Sequence, residues 1–226
     1  GAFQPSEASA VMTHWFGGGH PSELRSPGIL PGREAHCQAT LHAAEGLFGR
    51  PFLIKNAWNC FRLRYLSQAF PAACFIWIRR DIAAAAKSDL AARYAVHGMP
   101  EAWNSATPRN LVELQKRPYW EQVVENQYEF ARAITEASRD LAPDRFAEIW
   151  YEDLCRDPQP ELVRMLHTCT ALSKLTPQRA LATDDDKESK TPLPEQDNLK
   201  LQGYVDRLPD RFGWLRYPNA HRGIYG

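Results

Sequence analysis

FIWIRRDIAAAAKSDLAARY (75–94) is the stretch on which the fold turns. Its first five residues are apolar, aromatic or β-branched up to the closing Arg79, and they follow the turn pair Phe70-Pro71. A short apolar run bounded in this way reads as a buried strand. The Ala-rich text from Ile82 reads as a helix over 82–95. A strand that passes straight into a helix is the junction where α/β proteins hold phosphates. Arg80 falls at the strand's C-terminal end, where a guanidinium can grip a phosphate bidentately. Ser88 lies eight residues on, about two helical turns in, and can face the same ligand. Asp81 is placed to cap the helix's first turn. Taken alone, the pattern also suits an ordinary corner with a surface Arg and a solvated Ser.

Working outward, PFLIK (51–55) reads as a strand followed by a helix over 59–69, and RFAEIWYED (145–153) as a third strand after the Ala142-Pro143-Asp144 turn. Residues 120–141 carry apolar side chains at helical spacing, and PELVRMLHTCTAL (160–172) reads as an amphipathic helix. Strands alternating with helices predict an α/β fold, a parallel sheet with right-handed crossovers flanked by helices. Residues 1–50 hold helical pieces around 7–16 and 33–48, 98–120 form an excursion of short helices, and 176–199 read as a polar loop or lid. The organisation expected is one domain over 1–226: acceptor-side helices and loops at 1–50, a nucleotide-binding core at 51–172, and a C-terminal lid and tail at 173–226. GGGHPS (17–22) lacks a preceding strand and a Gly-Lys-Ser/Thr ending, so it reads as a loop over the acceptor and not as a phosphate cradle.

The chain has 226 residues, 44% of them hydrophobic, enough to bury one sizeable core. Lys+Arg and Asp+Glu are both 27, so no global field points to nucleic acid or to an anionic membrane, and any anion must be held by local residues. Five cysteines without a CxxC suit free thiols in a reducing compartment, which makes the expected location cytoplasmic. No spacing of His and Cys suggests a metal, and no apolar run approaches a membrane span.

Lys55, Phe70-Pro71, the apolar strand, Arg80-Asp81 and Ser88 together resemble the sulfotransferases that use 3′-phosphoadenosine 5′-phosphosulfate (PAPS), most nearly the branch with the tyrosylprotein and bacterial enzymes. A second block, IWYEDLCRDPQPELVRMLH (149–167), resembles the Tyr-Glu-Asp strand end and Asp-Pro helix start of that family. The resemblance implies a three-layer fold of the P-loop type, although no PRSGTT-like phosphate loop occurs in the chain. Either the sequence begins beyond that loop, as a fragment or processed product, or the loop has been lost. The likeness also assigns Arg80 and Ser88 to the 3′-phosphate and Tyr151 to the adenine. Family members have RDP or RDG where this chain has Arg80-Asp81-Ile82, but the Arg-to-Ser spacing survives.

The same resemblance implies that Lys55 lies near the transferred sulfate, although the family's Lys-Asp-Pro reads Lys55-Asn56-Ala57 here. A surface Lys at a strand end is the alternative. Glu7 in PSEAS (5–9) is the candidate general base, a role that a raised carboxyl pKa near the acceptor would serve; Ser6 starting a helix is the alternative. His14, His20 and His36 are runners-up as base, since the cytosolic branch uses a His. Lys187, Ser189 and Lys190 are weak candidates to close over the nucleotide. Tyr-Glu-Asp also suits a plain helix cap through Asp153, and Arg79 is expected on the strand's other face in a structural or solvent-facing role.

The activity implied is sulfuryl transfer from PAPS to a hydroxyl or amine, with PAPS as co-substrate and no metal. The acceptor is a small molecule, carbohydrate or peptide, with no nucleic acid or membrane partner and an open oligomeric state. Trp15, Phe16, Trp103, Tyr119 and Trp120 are candidates for an aromatic acceptor cleft or for the core. Two other classes stay open: a non-catalytic nucleotide-binding remnant or interaction module, and a fold-related nucleotide kinase.

Overall fold

A computed structural model describes residues 9–18, 28–49, 51–172, 175 and 192–218. In chain order the helices are α1 (Ser9–Phe16), α2 (Glu34–Phe48), α3 (Leu63–Ala69), α4 (Ile82–His97), α5 (Leu111–Leu114), α6 (Tyr119–Ser138), α7 (Tyr151–Arg156), α8 (Pro158–Thr168), α9 (Glu195–Asp206) and α10 (Pro209–Phe212). Strands β1 (Phe75–Arg79) and β2 (Phe146–Trp150) pair in parallel, with Phe75 opposite Phe146 and Arg79 opposite Trp150. The chain is therefore α/β, with a small parallel sheet flanked by helices. Parallel pairing requires a crossover, and α4 and α6 provide it.

In-register parallel neighbours share a sheet face, so Phe75, Trp77 and Phe146 form one apolar surface. Leu63 of α3 and Ile134 and Ala137 of α6 cover it. Behind it α4 packs on α6. The small side chains Ala83 and Ala86 beside Ile82 and Leu90 let Val123 and Val124 approach closely, and all six are buried. Asp81 accepts hydrogen bonds from the Ala83 and Ala84 amides (3.0 and 3.2 Å) and so starts α4. Gly98, at φ 72°, ends it in the left-handed conformation that suits a residue without Cβ.

Two expectations need correction. PFLIK (51–55) is not a strand. It finds no ladder partner among the described residues, and Phe52 and Leu53 stand 46% and 83% exposed. Asn56 instead caps a 3₁₀ turn (Ala57–Phe61) by accepting from the Trp58 amide. The third strand stops at Trp150, and Tyr151-Glu152-Asp153 opens α7. Among the described residues of the C-terminal segment, Leu201, Tyr204, Val205, Phe212 and Leu215 join the α4–α6 cluster. The aromatic residues that were candidates for a cleft or for the core are dispersed over three clusters. Trp15 and Phe16 pack with Met12 and Cys37, Trp103 with Leu111 and Leu114, and Tyr119 and Trp120 against the main core.

Polar seams fasten the tail. Tyr94 and Tyr119 each donate to the buried Asp197 carboxylate at 2.6 Å, and Tyr204 and Arg211 donate to the two oxygens of Glu125 at 2.7 and 2.6 Å. Burial, followed by the Asp197 hydrogen bond, pushes the Tyr94 phenol up to about 12 and raises Tyr119 as well. A raised phenol pKa favours the protonated fold. That stability is complete below the ordinary tyrosine value of 10.0 and is lost as pH rises through about 12. Denaturation midpoints measured from about pH 9 to about pH 11.5 should fall, and should fall less steeply in Tyr94→Phe.

Candidate functional site

The β1–β2 register that sets Arg79 opposite Trp150 brings the next pair, Arg80 and Tyr151, together where both strands end. The Arg80 guanidinium lies over the Tyr151 ring, 4.7 Å from its centroid. It makes no hydrogen bond or ion pair among the described residues, so its donors remain available. Arg79 has the opposite fate. It bonds Glu148 at 2.8 Å and the Trp214 carbonyl at 2.7 Å and stacks near Trp77 and Trp150, which makes it structural, as expected for the other face.

Each residue of Tyr151-Glu152-Asp153 touches a different part of this corner. Tyr151 underlies Arg80, Glu152 accepts the Asp81 amide at 2.8 Å, and Asp153 accepts the Tyr217 hydroxyl. Arg156, one turn on, donates to the same Tyr217 oxygen at 2.7 Å. Asp81 is shared as well. One oxygen caps α4, while the other accepts from the Tyr217 amide at 3.1 Å and pairs with Arg216 at 3.0 Å. Ser88 is half-buried on α4, about 10 Å along the helix axis from Asp81 and near the same side, seven residues being close to two turns.

Arg80, Tyr151 and the start of α4 thus come together. Lys55 is exposed on the non-strand segment before Asn56, within electrostatic reach of Cys60, whose thiol burial pushes up to about 12 against the pull of that ammonium. Its expected place at a strand end is not realised. Glu7, His20, Lys187, Ser189 and Lys190 lie outside the described residues. His14 and His36 join α1 to α2: their rings are 5.3 Å apart, and Trp15 donates to His36 Nδ1 at 3.0 Å. A cleft of about 630 Å³ opens on the Arg79 side, against Trp150, Trp214, Arg216 and Tyr217, and does not include Arg80, Ser88 or Tyr151. Its arginines are spent on Glu148, Asp81 and Asp206. Among the described residues no His, Cys, Asp and Glu cluster could hold a metal, and no helix is long and apolar enough to cross a membrane.

Sequence reasoning missed Glu152, Arg216 and Tyr217. Glu152 sat inside a quoted motif from which only the Tyr was assigned a ligand. The tail residues act through one backbone amide, one hydroxyl and one ion pair, which leave no periodic trace.

Arg80 lies at the carboxyl end of a parallel sheet, where α/β proteins place their ligand sites. The sequence adds the family. The profile described as "Sulfotransferase family" matches residues 7–171, and the chain belongs to that family. It is 29% identical over 116 residues to the omega-hydroxy-beta-dihydromenaquinone-9 sulfotransferase Stf3 of Mycobacterium bovis and to that of Mycobacterium tuberculosis. The aligned region covers 50% of this chain and 27% of those relatives, so the chain spans about a quarter of their length. No solved structure matches significantly.

Replacing Asp81 by Ala should remove both the α4 cap and the link to Arg216. A stability loss of about 1–2 kcal/mol is expected in urea unfolding, with Asp81→Asn, which keeps an acceptor at the cap, losing less.

Proposed function

We propose that this chain transfers a sulfuryl group from PAPS to an acceptor hydroxyl or amine and releases adenosine 3′,5′-bisphosphate (PAP), within a three-layer fold of the P-loop type. The observation that carries the reading is Arg80, its guanidinium over the Tyr151 ring and its donors unspent among the described residues, in a chain of the sulfotransferase family. Planar bidentate donation suits a phosphate, and Arg80 with Ser88 would take the 3′-phosphate while Tyr151 lies against the adenine. Lys55 would approach the transferred group and offset charge developing on the leaving phosphate. The acceptor oxygen or nitrogen bonds to sulfur as the bond from sulfur to the 5′-phosphate oxygen breaks. Glu7 takes the acceptor's proton.

The relatives' name specifies a hydroxylated dihydromenaquinone, which supports a small, lipid-like acceptor bearing a hydroxyl. Five unpaired thiols fit a reducing, cytoplasmic setting. One observation favours a second reading, a nucleotide-binding remnant without turnover: residues 51–55 form no strand among the described residues, so the sulfuryl half-site lacks the strand end expected to present Lys55. Steady-state turnover separates the two.

Calorimetric titration with PAP, and with ADP as the ligand lacking a 3′-phosphate, tests the first half-site. Wild type should prefer PAP, and Arg80→Ala should lose about 1.5–3 kcal/mol of PAP affinity while ADP changes little. Equal losses for the two ligands would remove Arg80 from the 3′-phosphate. Glu7→Gln should lower kcat and leave PAP affinity nearly unchanged; full kcat in that variant would exclude Glu7 as the base.

A further inference from the structure

The C-terminal segment Arg216–Tyr217 meets the Arg80 corner from 136 residues away in sequence. Its bonds converge on the two elements that carry the candidate nucleotide contacts. Arg216 Nε and the Tyr217 amide hold Asp81 Oδ2, so the cap of the helix bearing Ser88 depends on the tail. The Tyr217 hydroxyl donates to Asp153 and accepts from Arg156, so the helix that begins with Tyr151 is gripped at the same point. Tyr217 is 7% exposed, and its ring meets Trp150, the last residue of β2, edge-on at 5.5 Å. Glu152 closes the loop by accepting the Asp81 amide.

Among the described residues Arg80 has no polar partner, so its direction follows where Tyr151 lies and where the Arg80–Asp81 backbone turns. Bonds that end at Arg216 and Tyr217 brace both, beside Glu152, which holds the Asp81 amide. From this geometry we infer that Arg216 and Tyr217 are positioning residues for the 3′-phosphate site. They touch no ligand and act through Asp81 and Asp153 to hold Arg80, Tyr151 and the first turn of α4 in one arrangement. The inference rests on the 3′-phosphate reading of Arg80 and adds to it a requirement for the tail. A side chain aimed by two neighbours binds a planar anion better than one that must be ordered on binding, because less freedom is lost when the ligand arrives.

Two measurements on the full chain test it, in wild type, Tyr217→Phe, Arg216→Ala and the charge-retaining Arg216→Lys. The first is hydrogen exchange at the Ala83 and Ala84 amides, which needs no ligand. The second is the ratio of PAP to ADP affinity. Tyr217→Phe keeps the ring against Trp150 and loses only the hydroxyl. Arg216→Ala, which removes a partner of Asp81, should speed exchange at those amides; both variants should cut the PAP preference about tenfold, and Arg216→Lys should restore much of what Arg216→Ala loses. ADP affinity should stay near wild type.

Unchanged exchange in Arg216→Ala and an unchanged ratio in both variants would overturn the inference, as would equal losses of PAP and ADP, which mark a general loss of fold. If wild type shows no preference for PAP, the 3′-phosphate reading fails and takes the positioning role with it. Faster exchange in Arg216→Ala would then identify the tail as a structural latch only.

Discussion

One carboxylate holds this architecture together. Asp81 sits where β1 gives way to α4, and its two oxygens serve different masters: Oδ1 satisfies the first amides of α4, and Oδ2 holds Arg216 and the Tyr217 amide. A helix start leaves amides without intrahelical partners, and an anion there also complements the helix dipole. The same charge draws in a cationic tail residue, so the local requirement of one helix becomes a long-range constraint. The amide of Asp81 itself is held by Glu152, which extends the constraint to the end of β2. Strand, helix and tail are thereby fixed in relation to one another at the edge where the sheet is open.

The adjacent arginines show how one strand divides structure from function. Alternation sends Arg79 to the face shared by Trp77 and Trp150, where burying a guanidinium is tolerable only with strong compensation. It receives Glu148, a backbone carbonyl and aromatic neighbours. Arg80, on the other face, receives one ring. Had Arg80 been given a carboxylate, a phosphate would have had to displace it.

The sequence was most legible where one element's requirements are local. The apolar run 75–79, the alanines after Ile82 and the Asp81 cap all read correctly, because each depends on neighbours within a few residues. PFLIK misled because a short apolar run describes a segment that could pair, whereas pairing needs a second strand that no short segment specifies. Helix α9 escaped notice because QDNLKLQGYVD has few apolar residues and is held in part by Asp197 and Tyr204, polar side chains whose partners lie on α4 and α6. Arg80 and Ser88 were singled out by spacing and family likeness. Glu152 and Tyr217 were not, since their contribution exists only after β1, β2 and the tail have met.

Holding Arg80 by a ring and not by hydrogen bonds has an energetic logic. Stacking a guanidinium on tyrosine contributes roughly 0.5–2 kcal/mol, enough to bias its orientation, and consumes none of its five N–H donors. Hydrogen bonds from a charged group are worth roughly 1.5–3 kcal/mol each, and all of them stay in reserve for an incoming anion. The quality of such a site then depends on how rigidly the ring is held, because the ring is what aims the charge. Tyr151 opens α7, and α7 is tied by Asp153 and Arg156 to the Tyr217 hydroxyl. On the proposed reading, the affinity Arg80 offers a phosphate would depend less on the residues that touch the ligand than on the buried phenol behind them.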